Sequence, residues 1–110
     1  MPKGNLSIKP LSVNDAYRGR RFKTSDYNNY EKEVFLLLPP AAKIPKGKLK
    51  LKCEFGFSSR RSDIDNALKP FIDILQKKYG FDDRIIYRLE IEKTLVAIGK
   101  EFIKFELSGY

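Results

Sequence analysis

Apolar and polar positions alternate most regularly in KLKLKCEFGF. There Leu49, Leu51, Cys53, Phe55 and Phe57 form one row, and Lys50, Lys52, Glu54 and Gly56 form the other. Residues two apart in extended backbone share a face, so the segment predicts a strand with one row in a core and the other toward solvent. The polar cluster SSRRS ends it. The same period recurs in IIYRLEIEKTLVA, with Tyr87, Leu89 and Ile91 on one face, and in EFIKFEL, with Ile103, Phe105 and Leu107 aligned. Gly99 and Lys100 between these two read as a hairpin turn. Leu6 and Ile8 in NLSIKP predict a shorter strand that ends at Pro10.

Elsewhere the period lengthens. Tyr27, Tyr30, Val34, Leu37 and Leu38 recur at helical spacing, between a capping Thr24 or Ser25 and the stop at Pro39 and Pro40. A second helix is predicted over about Asp65 to Tyr79, with Ile64, Leu68, Phe71, Ile72 and Leu75 on its apolar stripe and Gly80 as its C-terminal stop. Pro70 lies inside it, removes a backbone donor and opposes the carbonyl of Asn66, so a kinked or irregular first turn is expected. Together these elements predict an α+β fold: a largely antiparallel or mixed sheet with two helices packed on it, built as one domain over residues 1–110.

Composition narrows the function. Apolar residues make up 42% and charged residues 33%, a balance that favours a folded chain over a disordered one. The net charge of +8 favours a polyanionic partner such as nucleic acid. That charge is lopsided: residues 1–62 hold 14 of the 22 basic and only 5 of the 14 acidic side chains. One half is suited to gripping phosphates, and the other collects carboxylates. Cys53 stands alone, which excludes an internal disulfide or a cysteine-based zinc site. The chain has no histidine, so imidazole bases, Ser/His and Cys/His nucleophile pairs and HExxH metalloproteases are excluded. Hydrolysis here must rest on carboxylates, a metal or a lysine. No 18-residue apolar stretch exists and the opening MPKGNLSIKP lacks a signal-peptide core, so the expected compartment is the cytoplasm, with no membrane partner.

The densest chemical signal is RSDIDNALK, residues 61–69, followed by Asp82 and Asp83. Asp63 and Asp65 flank Ile64 at a strand-to-helix junction, where extended backbone turns both carboxylates toward one cation and a continuous helix splays them. Magnesium prefers a few carboxylate oxygens plus water, and it activates a bound water and steadies charge on a phosphate. A third carboxylate from Asp83 completes such a site, with Asp82 as its close competitor. Asp65, Lys69 and Asp73 follow at four-residue intervals, which sets the Lys69 ammonium beside the proposed ion. The structural alternative is that Asp63 or Asp65 caps a helix, Lys69 pairs with Asp73, and Asp82 and Asp83 make an ordinary turn. Asn66 either fixes a carboxylate or belongs to the helix entry, and Arg60 and Arg61 either hold phosphates or solvate a loop.

These residues resemble the RusA-type Holliday junction resolvases. RSDIDNALK is similar to that family's D-x-D-N-x-x-K core, FDDRI to its later Asp-Asp, and SVNDAYRGRRFKT to its Asn-containing opening and basic, aromatic-bearing loop. The resemblance implies a homodimeric, magnesium-dependent endonuclease, with manganese as substitute, that makes paired nicks in a four-way DNA junction. It carries the metal carboxylates onto Asp63, Asp65 and Asp83 and the essential lysine onto Lys69. The DNA-contact candidates are Arg18, Arg20, Arg21 and Lys23, with Tyr17 and Phe22 able to stack on bases exposed at a branch point. The competing function is a non-catalytic basic nucleic-acid-binding module, for which the acids are structural.

Overall fold

Strand KLKLKCEFGF becomes the centre of the sheet because its apolar row needs cover from both neighbours as well as from the helices. The computed structural model describes residues 2–11, 17–18, 22–40, 44 and 46–110, and for 17, 18, 22 and 23 the backbone alone. In chain order the elements are β1 (Lys3–Leu6), β2 (Tyr17–Arg18), β3 (Phe22–Lys23), α1 (Ser25–Leu37), β4 (Leu49–Phe57), α2 (Ile64–Tyr79), a single 3-10 turn (Asp83–Ile85), β5 (Ile86–Leu95) and β6 (Phe102–Gly109). The main sheet has the order β1-β6-β4-β5, and β2 and β3 form a separate two-stranded ribbon. The α+β expectation holds, with a mixed sheet.

The expected hairpin between the last two strands does not form. β5 and β6 flank β4 instead, β5 parallel to it from Leu49↔Ile86 to Phe57↔Leu95, and β6 antiparallel to it from Leu49↔Gly109 to Gly56↔Phe102. A parallel pair needs a crossover, and α2 supplies it. β5 suits an edge because Arg88, Glu90 and Glu92 along it tolerate solvent, whereas Leu49, Leu51 and Phe55 are wholly buried.

The core lies between the sheet and the two helices. Phe71 of α2 meets Phe55 edge-on at 6.1 Å and Phe105 at 5.6 Å. The buried stripe of α2 is Ala67, Pro70, Phe71, Ile74, Leu75 and Tyr79, turned from the predicted one so that Ile64, Leu68 and Ile72 are only half-buried. Pro70 does not break the helix, which runs on from Ile64 to Tyr79. Its ring is fully buried, and that burial offsets the lost bond to the Asn66 carbonyl. Thr24, not Ser25, caps α1, its Oγ1 accepting from the Tyr27 amide at 3.2 Å. Leu38 is buried below α1 while Leu37 stays 45% exposed. The helices are fastened where Lys77 meets Glu31 at 3.2 Å and the Tyr79 hydroxyl donates to the Pro39 carbonyl at 2.9 Å.

The far face of the sheet carries no helix and is laced with charge. Lys50 and Lys52 reach Glu90 at 3.4 and 3.9 Å, and the Thr94 hydroxyl donates to Glu54 at 2.6 Å. Gly56 is needed on this face because the Phe102 ring lies across it, where a Cβ would stand 2.3 Å from the ring. Truncating the central ring of the core, Phe71→Ala, is expected to lower stability by about 3–5 kcal/mol. Urea unfolding checks this, with the midpoint falling and the slope unchanged.

Candidate active site

One end of the sheet gathers the candidate chemistry. The C-terminal ends of β4, β5 and β1, the N-terminal end of β6 and the first turn of α2 all meet there. A cleft at this end is lined by Lys9, Ser58, Arg61, Asp63, Asn66 and Glu101, among others. Asp63 has extended backbone (φ −88°, ψ 135°) and occupies the N-cap position of α2, yet its side chain makes no capping bond. Instead its Oδ2 accepts from the Asn66 amide at 3.2 Å. Of the two readings of Asn66, the structure supports the side chain that fixes a carboxylate.

Asp65 lies one residue inside the helix, in its first turn, and is exposed, as is Lys69 one turn later. The acids therefore do not share one extended stretch; they lie on either side of the helix start. The positive end of the helix dipole favours both carboxylates. Among the described residues Lys69 makes no ion pair, so the alternative pairing with Asp73 is not made.

Asp82 and Asp83 are at the other end of α2. The Asp83 amide donates to Gln76 Oε1 at 2.9 Å, which fixes that turn beside the last turn of the helix. Gln76 and Asp63 are separated by roughly 20 Å of helix axis. Convergence of three aspartates within a single chain, as expected from the sequence, does not occur, and among the described residues no group of three metal-binding side chains is formed. The crossover explains it: α2 carries the chain back along the sheet, so the turn after it starts from the opposite end. The two neighbouring acids also separate in role. Asp82 caps the 3-10 turn, accepting from the Arg84 amide at 2.9 Å and pairing with its side chain at 3.2 Å. Asp83 is the exposed first residue of that turn.

Two site-building residues carry no motif. Lys93 of β5 lies 5.7 Å from the Phe57 ring centre and donates to the carbonyls of Arg60 (3.0 Å) and Ser62, so it ties the loop before Asp63 to the sheet edge. Glu101 accepts from the Ser58 hydroxyl and the Gly99 amide, both at 2.8 Å. Its own backbone amide and the Ser58 hydroxyl hold its carboxyl below the usual range. Only tertiary pairing across the sheet reveals either contact.

Arg60 and Arg61 are exposed on the loop that leads into the acids. For Arg18 and Lys23 only the backbone is described, in the β2–β3 ribbon, and Arg20 and Arg21 lie outside the described residues. Lys9 and Pro10 line the cleft, so the basic segment leaves the body of the fold at the cleft's rim.

The model of a known family, endodeoxyribonuclease RusA, matches residues 8–104. The chain belongs to that family. No curated protein matches it. The RusA match takes in the basic segment, the cleft, α2 and the Asp82–Asp83 turn, so both acidic ends fall within the shared domain. Membership makes the chain one of a family of DNA-cutting enzymes, in keeping with its basic N-terminal half. Among the described residues no helix is long and apolar enough to cross a membrane.

Two outcomes are expected. Lys93→Met should speed amide exchange across residues 60–63 while leaving exchange in β4 unchanged, as read by hydrogen exchange; equal protection would contradict the tie. The Asp82 carboxyl is held below its ordinary value by the Arg84 amide and side chain. Because the folded value is the lower one, its stabilisation is present above the unfolded value and is lost as pH falls through the folded one. An NMR titration should place the Asp82 midpoint below that of the urea-unfolded chain.

Proposed function

We propose that this RusA-family protein is a magnesium-dependent endonuclease that nicks four-way DNA junctions as a homodimer, in the cytoplasm. The observation that carries the reading is the Asp63–Asn66 contact at the mouth of a cation-rimmed cleft. An acid at a helix N-cap ordinarily satisfies the helix, whereas this one is oriented by a neighbouring amide and leaves the helix end to others.

Asp63 and Asp65 are the residues of this chain that would hold a divalent ion, and an exposed carboxylate pair suits magnesium, which keeps water and phosphate oxygens as its other ligands. When bound, magnesium supplies an activated water and offsets charge at the attacked phosphate; manganese substitutes for it. Lys69, exposed one helical turn from Asp65, offsets negative charge on the phosphate as the P–O bond breaks. Arg60, Arg61 and Lys9 hold the flanking phosphates, and Arg18, Arg20, Arg21 and Lys23 grip the arms of the junction. Symmetric cuts on a four-way junction call for two symmetric sites, which a twofold dimer provides.

The test is a synthetic four-way junction with magnesium. Asp65→Asn is expected to slow nicking by about a hundred- to a thousandfold, the scale of losing one preorganised charged group, while junction binding persists. Normal cutting by that variant would overturn the site, and no cutting by the wild-type protein would leave only a basic DNA-binding module. Replacing Arg20 and Arg21 by alanine should weaken binding and lower the slope of log affinity against log salt by roughly 2.

A further inference from the structure

Strand β5 is a ten-residue edge with nothing on its outer side among the described residues, although Tyr87, Leu89 and Leu95 along it are 62%, 42% and 52% exposed. A long, apolar, open edge is a template for another strand. We infer that β5 pairs antiparallel with β5 of a second copy, centred on Leu89, and that Asp83 of the partner subunit thereby completes the site begun by Asp63 and Asp65. The inference rests on the nuclease reading and names the source of its third carboxylate.

The sequence of β5 selects the register. With Leu89 on the twofold axis it faces the partner's Leu89, Tyr87 faces the partner's Ile91, and Arg88 faces the partner's Glu90 on the opposite face. Each of the last two pairs occurs twice by symmetry. Shifting the axis to Glu90 sets that carboxylate against its own copy, and shifting it to Arg88 sets two guanidinium groups together; both are repulsive. Arg88 already leans on Glu90 of its own strand at 3.3 Å, so the cations and acids of this edge are interleaved before any partner arrives.

The same register solves the problem posed by the crossover. Within one chain the Asp83 turn and the Asp63 loop are at opposite ends of the sheet. Antiparallel pairing across β5 reverses the ends, setting the partner's Ile85 opposite Lys93 and the partner's Asp83 opposite Leu95. Lys93 is the residue that binds the carbonyls of Arg60 and Ser62, immediately before Asp63. Leu95 is the β5 neighbour of Phe57, after which the chain leaves β4 for that loop. The partner's acidic turn thus arrives at the acidic loop. It comes already shaped, since Asp82 caps it and Gln76 holds the Asp83 amide.

Subunit mixing decides the matter. Asp63→Asn and Asp83→Asn, both exposed conservative changes, are made on chains with different affinity tags, and the heterodimer is isolated by both tags. Shared sites pair the intact Asp63 of one chain with the intact Asp83 of the other. The heterodimer should therefore recover about half of wild-type nicking, with both parents inactive. Titration calorimetry with manganese alone should find one tight ion per heterodimer, two per wild-type dimer and none in either parent. A heterodimer as inactive and metal-free as its parents, or a protein that is monomeric at assay concentrations, overturns the shared site while wild-type nicking keeps the nuclease reading. Asp83→Asn that nicks normally overturns the role of Asp83. If the wild-type protein cuts no junction the functional reading fails instead, and the manganese stoichiometry still judges the interface.

Discussion

The parallel pairing of β4 with β5 is the constraint on which the rest of the structure depends. Because two parallel neighbours cannot be joined by a tight turn, the chain must travel back along the sheet between them, and α2 makes that journey. Its buried stripe covers β4 through Phe71, Ile74 and Leu75, so the helix cannot be shortened or moved without exposing the central strand. Residues before the helix and residues after it are thereby held at opposite ends of the molecule. The acidic motif that opens α2 and the acidic turn beyond its last residue are adjacent in function only if two chains meet.

Around the Asp63 end, local order comes from polar contacts rather than burial. Asn66 grips Asp63, Lys93 anchors the carbonyls of the preceding loop, and Glu101 joins Ser58 to the loop before β6. Each contact is worth little alone at such exposure. Jointly they fix a loop between two sheet ends, so that two carboxylates and the Lys69 ammonium stand on a rigid helix start instead of a flexible link. Lys9 and Arg61 in the same cleft bring positive charge to where a phosphate must approach two acids.

Much of this architecture is legible in the sequence, and the remainder is hidden for identifiable reasons. The β4 row is readable because a half-buried strand leaves a period-2 signature, and both helices announce themselves through Thr24, Gly80 and their apolar spacing. The apparent hairpin around Gly99 misleads because a turn signal reports local backbone and says nothing about whether another strand inserts between its arms. The stripe of α2 departs from its apolar spacing because Ala67 and Pro70 pack against the core without being strongly apolar. The motif residues at the cleft can be named from their spacing, whereas Lys93 and Glu101 act through contacts 31 and 43 residues away in sequence. Asp83 does not converge with Asp63 within one chain because motif order carries no information about which end of a helix a residue occupies.

Everything functional that joins the two acidic ends passes through the β5 edge, and a cysteine at its proposed axis reads that edge directly. The native Cys53 is buried, and burial pushes its thiol up to about 12, which keeps it unreactive under mild oxidation. Leu89→Cys should therefore cross-link rapidly and almost completely into covalent dimers on non-reducing gels, while Ile98→Cys, more exposed still but beyond the paired stretch, should not. Equal, slow cross-linking of both variants, or none at Leu89→Cys, would contradict the pairing.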